Sequence, residues 1–323
     1  ETRSFIENLE RKDRKCKLWK NQKEGILRTI YSYEILENNN LLLNIVTGGG
    51  KTVIIAGCIA WLKMAYNVDK FLIVVPNTIV RDRLKRDFVP ENHKKSVFEE
   101  FELFPEEYKY HVNELVTHVL GEGDTTGMFA SGIILGNIHQ FYTTNISGQR
   151  NVHWLLTKAG NIAMFNDEAH NTPSPEYTEV LDKLKDKVIF RLDTTATPDR
   201  ADGRNPDSDM IYMYSVSEAL EDGIVKSVVV YQPDTKAVEL TYTNKLTGEK
   251  KKVTDLDKEF KDAENNIKPF QWILDEEPMR KQMTLALARL NEQRVRANER
   301  YNPILFVVTT SIDEGKRAKK ILE

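Results

Sequence analysis

Five short apolar runs recur along the chain: Leu41–Val46, Phe71–Val75, Gly132–Leu135, Ile162–Phe165 and Val188–Leu192. None alternates polar with apolar positions as a half-exposed strand does, so each reads as a strand covered on both faces. Helical spacing fills the intervals. Gln22–Leu36 carries Ile26, Leu27, Ile30, Tyr33 and Ile35, Thr52–Tyr66 is apolar enough for a buried helix, and a helical stretch runs from beyond Pro76 to Phe88. Strands alternating with helices predict an α/β domain on a central parallel sheet. The opening segment also reads as helix, with the charge run Arg11–Lys15 as a solvated face. The stretch of about 90–124, acidic and aromatic with little periodicity, reads as an insertion over the sheet edge.

The texture changes after Gly223. Ile224–Tyr231 is strand-like, and Ala237–Tyr242 with Lys250–Val253 flank Lys245-Leu246-Thr247-Gly248 as a hairpin. Pro278–Arg300 reads as a long polar helix, and Ile304–Val308 as a strand with a short helix after it. These features predict two domains, 1–222 and 223–323, the second truncated soon after a strand and helix. A first residue of Glu1 rather than Met also reads as a piece of a longer chain.

Two motifs carry chemistry. Thr47-Gly48-Gly49-Gly50-Lys51-Thr52 lies between an apolar strand and an apolar helix, the context a phosphate-binding loop needs. Consecutive glycines let the backbone aim N–H groups at an anion beside a helix N-terminus. Lys51 would reach the terminal phosphates, and the Thr52 hydroxyl would coordinate Mg²⁺. Ile45 stands where such loops carry their first glycine. Asp167-Glu168-Ala169-His170 follows the fourth run directly, at the carboxyl end of a strand, where parallel sheets bind ligands. Asp167 would hold the metal, and Glu168 would orient and deprotonate an attacking water.

Composition narrows the class. The chain has 323 residues with 46 basic and 49 acidic side chains, so its net charge of −3 excludes a broad polyanion binder but not a local grip on nucleic acid. That length exceeds what one core usually supports. Cys16 and Cys58 fit a reducing, cytoplasmic compartment and cannot build a zinc site. His93, His111, His118 and His153 show no ligand spacing. The apolar run Val53–Leu62 is too short to cross a bilayer and no signal peptide is visible, so no membrane partner is expected.

The glycine loop, the acidic tetrad and Thr194-Thr195-Ala196-Thr197-Pro198, in that order, resemble motifs I, II and III of superfamily 2 helicases. Leu18-Trp19-Lys20-Asn21-Gln22 resembles that family's adenine-reading segment, with Gln22 in the reading role. Ile138-His139-Gln140-Phe141, the long insertion, Tyr214–Leu220 and Gly223–Lys226 resemble the motor subunit of type III restriction enzymes. The resemblance implies a RecA-like domain with a truncated second one, ATP and Mg²⁺ as cofactors, and ATP-driven translocation on double-stranded DNA. A modification (methyltransferase) subunit is the implied protein partner. Thr195, Ala196 and Thr197 would couple the ATP site to movement, with His170 linking the two. Pro76, Asn77, Thr78 and Arg81 would touch the nucleic acid, then Asn137, His139 and Gln140, mainly through phosphates. Phe141 and Tyr142 read as base-stacking or as core, and Lys250-Lys251-Lys252 as a solvated hairpin end. Ile304–Val308 resembles motif IV, and the arginine-bearing motifs V and VI and a nuclease pattern are not in the chain, so slow turnover is expected from it alone. The alternatives are an RNA helicase and an ATP-dependent switch or scaffold that never translocates.

Overall fold

The computed structural model describes residues 1–90, 94–121, 126–171, 174–197, 207–226, 240–243, 250–253, 276–298, 300–309 and 311–323. The chain divides into two compact units, Glu1–Ser227 and Val228–Glu323.

In the first unit all five apolar runs form strands, joined by two more at the edges. These are β1 (Asn40–Ile45), β2 (Lys70–Val75), β3 (Thr117–Val119), β4 (Ile133–Asn137), β5 (Ile162–Asp167), β6 (Val188–Thr195) and β7 (Asp209–Tyr214). They pair in the order β3-β4-β2-β5-β6-β1-β7, every neighbouring pair parallel. Helices cover both faces, which is why the central strands are apolar without alternation. One face carries α1 (Thr2–Leu9), α2 (Lys20–Glu34), α3 (Lys51–Tyr66), α4 (Thr78–Phe88) and α5 (Val97–Glu100), burying Phe5, Ile26, Trp61, Leu84 and Phe98 against Phe165 and Phe190. The other carries α6 (Gly127–Ala130), α7 (Ile146–Lys158) and α8 (Pro175–Leu184), burying Met128, Leu155, Tyr177 and Leu184 against Ile134 and Met164. A short α9 (Val216–Glu221), capped reciprocally by Ser215 and Glu218, follows β7. The unit is an α/β domain built on one parallel seven-stranded sheet, as the sequence predicts.

Three local expectations change. The charge run Arg11–Lys15 is not helical but lies in the connection between α1 and α2. Arg14 turns inward to 4% exposure, where its guanidinium donates to the carbonyl oxygens of Asn8, Phe101 and Glu102. Its donors, with the Asn8 amide on the Glu102 and Leu103 carbonyls, tie the end of α1 to that turn. Residues 94–121, within the stretch read as an insertion, bury Phe98, Leu103, Phe104 and Leu115 in the main core and supply edge strand β3. Ile224–Lys226 form no strand; the amides of Ile224 and Val225 instead donate to the Ala219 carbonyl, and 227–231 lie outside the described residues.

In the second unit β8 (Leu240–Thr243) and β9 (Lys250–Val253) pair antiparallel as the hairpin reading requires, with the turn between them outside the described residues. A long helix, α10 (Glu276–Ala297), packs on α11 (Ile312–Leu322). Ile304–Val308 was expected as a strand, but it pairs with nothing among the described residues. Its Ile304, Phe306 and Val308 are 85%, 84% and 80% exposed. Apolar composition favours a strand, yet only a hydrogen-bonded neighbour makes one.

Candidate active site

The sheet order brings the motifs together. β1 lies between β6 and β7, and β5 flanks β6, so the glycine loop after β1, the acidic tetrad after β5 and the threonines ending β6 share one carboxyl edge. In register, Asp167 stands opposite Thr194, and Asn44 opposite Thr195.

The loop's shape follows from its glycines. Gly48 and Gly50 have φ of +88° and +82°, in the left-handed region where a side chain is strained. Gly49 N donates to Val46 O at 2.9 Å, closing the turn, and Asn21 Nδ2 donates to Gly49 O at 2.7 Å, tying the loop to α2. A Cβ at Gly50 would lie 2.2 Å from Gln22 Nε2, so the Gln22 carboxamide packs directly on the loop. Its Oε1 accepts the Trp19 N–H at 2.8 Å, capping α2. The adenine-reading candidate is therefore 3% exposed and half committed to holding helix and loop together. We expect Gly50→Ala to lower stability by about 1–3 kcal/mol through its φ alone, before the clash is counted. A thermal unfolding scan showing no loss would contradict this geometry.

Lys51 opens α3 and is 5% exposed. Its Nζ lies 2.6 Å from Glu168 Oε1 and 3.8 Å from Asp167 Oδ1. Thr52, beside it, is half-buried. Asp167 Oδ1 also accepts from the Thr194 hydroxyl at 2.8 Å and from Glu168 N at 3.1 Å. Glu168 has φ of +55°, an outlier for a residue with a side chain, and the strain falls on the proposed catalytic acid–base residue. His170 Nδ1 is 3.0 Å from Thr195 Oγ1, 3.4 Å from Thr197 Oγ1 and 3.6 Å from Glu168 Oε2, so the tetrad touches the threonines at the end of β6 through one imidazole. Thr197 N donates to Thr195 Oγ1 at 3.1 Å, and Ala196 sits within that turn.

The donor set suits a magnesium nucleotide. The Lys51 ammonium meets a buried carboxylate at the end of a glycine loop, with Thr52 next in sequence, a set of groups that phosphate oxygens and a hard cation can use. Among the described residues no group of three or more His, Cys, Asp or Glu is arranged to hold a metal ion, so a cation here would take phosphate oxygens as further ligands.

The nucleic-acid candidates divide. Pro76, Asn77 and Thr78 follow β2 on the same carboxyl edge, Asn77 and Thr78 exposed, with Asn77 capping α4 through a 3.0 Å bond from Val80 N. Arg81 is spent on Asp82 and on the Leu120 carbonyl. Gln140 is committed at both ends, accepting from Asn137 N at 2.9 Å and donating to Leu120 O at 2.8 Å. Asn137 is buried at 9%, Phe141 is core, and His139 is exposed with its ring edge-on to Tyr142 at 5.0 Å. Asn21 and Thr194, each inside a motif segment of the sequence but given no role there, acquire one only in the structure: Asn21 ties the glycine loop to α2, and Thr194 reaches Asp167 because β6 lies beside β5.

The family described as type III restriction enzyme, res subunit, matches residues 15–200, more than half of the 323. The chain belongs to this family. As a res-subunit relative it is a helicase-type, motor-like domain, and the family implies ATP binding and ATP hydrolysis in general. No curated protein matches the sequence. Among solved structures, the UvsW helicase of bacteriophage T4 is 17% identical with a TM-score of 0.44, covering 66% of this chain and 67% of that one. The Sulfolobus solfataricus SWI2/SNF2 ATPase core in complex with dsDNA is 18% identical with a TM-score of 0.40, covering 58% of this chain. A nuclease-deletion mutant of the type ISP restriction-modification enzyme LlaGI is 13% identical with a TM-score of 0.43, covering 65%. The matches span 33% and 21% of those two proteins' lengths. Among the described residues of the res-type domain no helix is long and apolar enough to cross a membrane.

Proposed function

We propose that the chain is the motor of a restriction-type enzyme, hydrolysing ATP to move on double-stranded DNA, with a modification (methyltransferase) subunit as partner. The observation that most supports the ATP site is Lys51 Nζ lying 2.6 Å from Glu168 and 3.8 Å from Asp167, across β6 from its own strand. Gly48, Gly49, Gly50 and Thr47 would line the phosphates with Lys51 on the terminal one, Gln22 would read the base, and Thr52 with Asp167 would hold the metal. Bound Mg²⁺ would neutralise charge on the phosphate oxygens. Glu168 would orient water and take its proton, and His170 would pass the state of Glu168 to Thr195, Ala196 and Thr197. Double-stranded DNA is favoured over RNA because the matching family is one of restriction enzymes. Pro76, Asn77 and Thr78 would contact phosphates, with Arg81, Asn137 and Gln140 shaping that edge from behind.

The test measures ATPase stimulation of the whole enzyme by duplex DNA and by single-stranded RNA of equal length. Duplex DNA should stimulate more strongly, and its affinity should fall with salt at a slope of about −0.9 per phosphate contacted. Stronger stimulation by RNA would replace the DNA reading, and stimulation by neither would favour a nucleotide switch.

A further inference from the structure

Behind the candidate active site lies a buried polar network that the proposed chemistry does not use. Asn166 immediately precedes Asp167 on β5, and Asp193 immediately precedes Thr194 on β6, and the two pairs are in register. Successive strand residues point to opposite faces, so the Asp167–Thr194 contact on one face is backed by an Asn166–Asp193 contact on the other. Asn166 Nδ2 donates to Asp193 Oδ1 at 2.6 Å, and the Tyr177 hydroxyl of α8 donates to Asn166 Oδ1 at 2.6 Å. Arg191 holds Asp193 bidentately, Nε to Oδ1 at 3.0 Å and Nη2 to Oδ2 at 2.7 Å. Ser208 Oγ adds a fourth bond to Asp193 at 2.8 Å, and Arg191 Nη1 reaches Asp207 at 2.8 Å. Asp193 and Tyr177 are fully buried, Asn166 is 1% exposed and Arg191 7%.

Burying an ion pair inside a sheet is a poor way to gain stability, since apolar residues of the same volume commonly do as well or better. What the network does fix is direction. Every hydrogen-bonding position of Asp193 is occupied, and the Asn166 carboxamide is held at both ends, so the carboxyl ends of β5 and β6 are tied to one another through their side chains. Tyr177 brings in the helix after the tetrad, and Asp207 with Ser208 bring in the entry to β7.

We propose that Asn166, Tyr177, Arg191 and Asp193 are positioning residues that set the orientation of the Asp167 carboxylate for the magnesium nucleotide. The proposal rests on the ATP–Mg²⁺ reading of that site. The network would touch neither nucleotide nor metal and would act only through Asp167 and Thr194.

The test measures equilibrium binding of a fluorescent ADP to the full chain, with and without Mg²⁺, beside thermal unfolding. Two variants are compared with the unaltered chain: Tyr177→Phe, which removes one hydroxyl, and the combined Asn166→Leu, Tyr177→Phe, Arg191→Met, Asp193→Leu, Ser208→Ala, which replaces the polar network by apolar volume. The combined variant is expected to fold and to bind the nucleotide normally without Mg²⁺. Its gain in affinity from Mg²⁺ should fall about 10–100-fold, as when residues that orient a metal ligand are lost. Tyr177→Phe should show a smaller loss in the same direction. Variants that change unfolding temperature yet keep the full Mg²⁺ gain would make the network merely structural and overturn the proposal. If the combined variant does not fold, the Mg²⁺ gain of Tyr177→Phe decides by itself. An unaltered chain that binds nucleotide but gains nothing from Mg²⁺ overturns the metal reading, and one that binds no nucleotide overturns the ATP reading. Both results remove this proposal together with its premise.

Discussion

Lys51→Ala is expected to abolish the stabilisation that ATP with Mg²⁺ gives the chain. The structure brings the Lys51 ammonium to both Asp167 and Glu168, and its side chain is only 4% exposed. In the nucleotide complex the ammonium would exchange those carboxylates for phosphate oxygens, keeping charged partners throughout. Two charge-assisted hydrogen bonds of about 1.5–3 kcal/mol each then depend on it, so affinity should fall roughly a hundredfold or more. A ligand at a hundred times its Kd raises stability by about 2.7 kcal/mol, and the variant should lose nearly all of that shift. Without nucleotide the variant should also be less stable, because Asp167 at 2% side-chain exposure is left without its cation. Unfolding scans with and without Mg²⁺-ATP read both effects. A variant retaining the full ATP-induced rise in unfolding temperature would remove Lys51, and with it the glycine loop, from the nucleotide site.

The central strands were legible because covered strands are written as unbroken apolar runs, and the sheet follows from their alternation with helices. β3 and β7 were not. β3 is three residues long, and β7 is an edge whose Met210 and Met213 are each 55% exposed, so neither bears the signature of a strand with two covered faces. The glycine loop and acidic tetrad are local patterns and could be read directly. Their meeting is a product of strand order, since β6 intervenes between β1 and β5. The same limit applies to Gln140 and Arg81. Free side chains for nucleic acid on paper, both reach the Leu120 carbonyl, a partner supplied by a connection whose path the sequence does not state. Arg14 shows the limit from the other side, a member of a charge run that folds inward because backbone carbonyls there needed a donor. Asp193 was visible only as the polar residue ending an apolar run; its four hydrogen bonds require β5, β6 and the residues just before β7 to be in place.

Glu168→Gln should separate binding from chemistry. Glutamine keeps the volume and can still accept from Lys51, but it cannot take a proton, so loss of general-base assistance should lower hydrolysis about 10²–10⁴-fold. Binding should move the other way. Lys51 is held at 2.6 Å by Glu168 in this structure, and a nucleotide must draw the ammonium from that pair. A neutral amide holds it less tightly, so the affinity of the variant for ATP should equal or modestly exceed that of the unaltered protein. Lys51→Ala loses affinity, whereas Glu168→Gln loses turnover at undiminished affinity, and that opposition distinguishes a catalytic pair from two residues that only stabilise the fold. The measurement is a single-turnover hydrolysis assay on the whole enzyme with DNA, paired with nucleotide titration. Unchanged hydrolysis would show that the carboxylate is not the base. Hydrolysis and affinity lost together would make Glu168 a binding residue, and the strain at its φ of +55° would then serve only to place its charge beside Lys51.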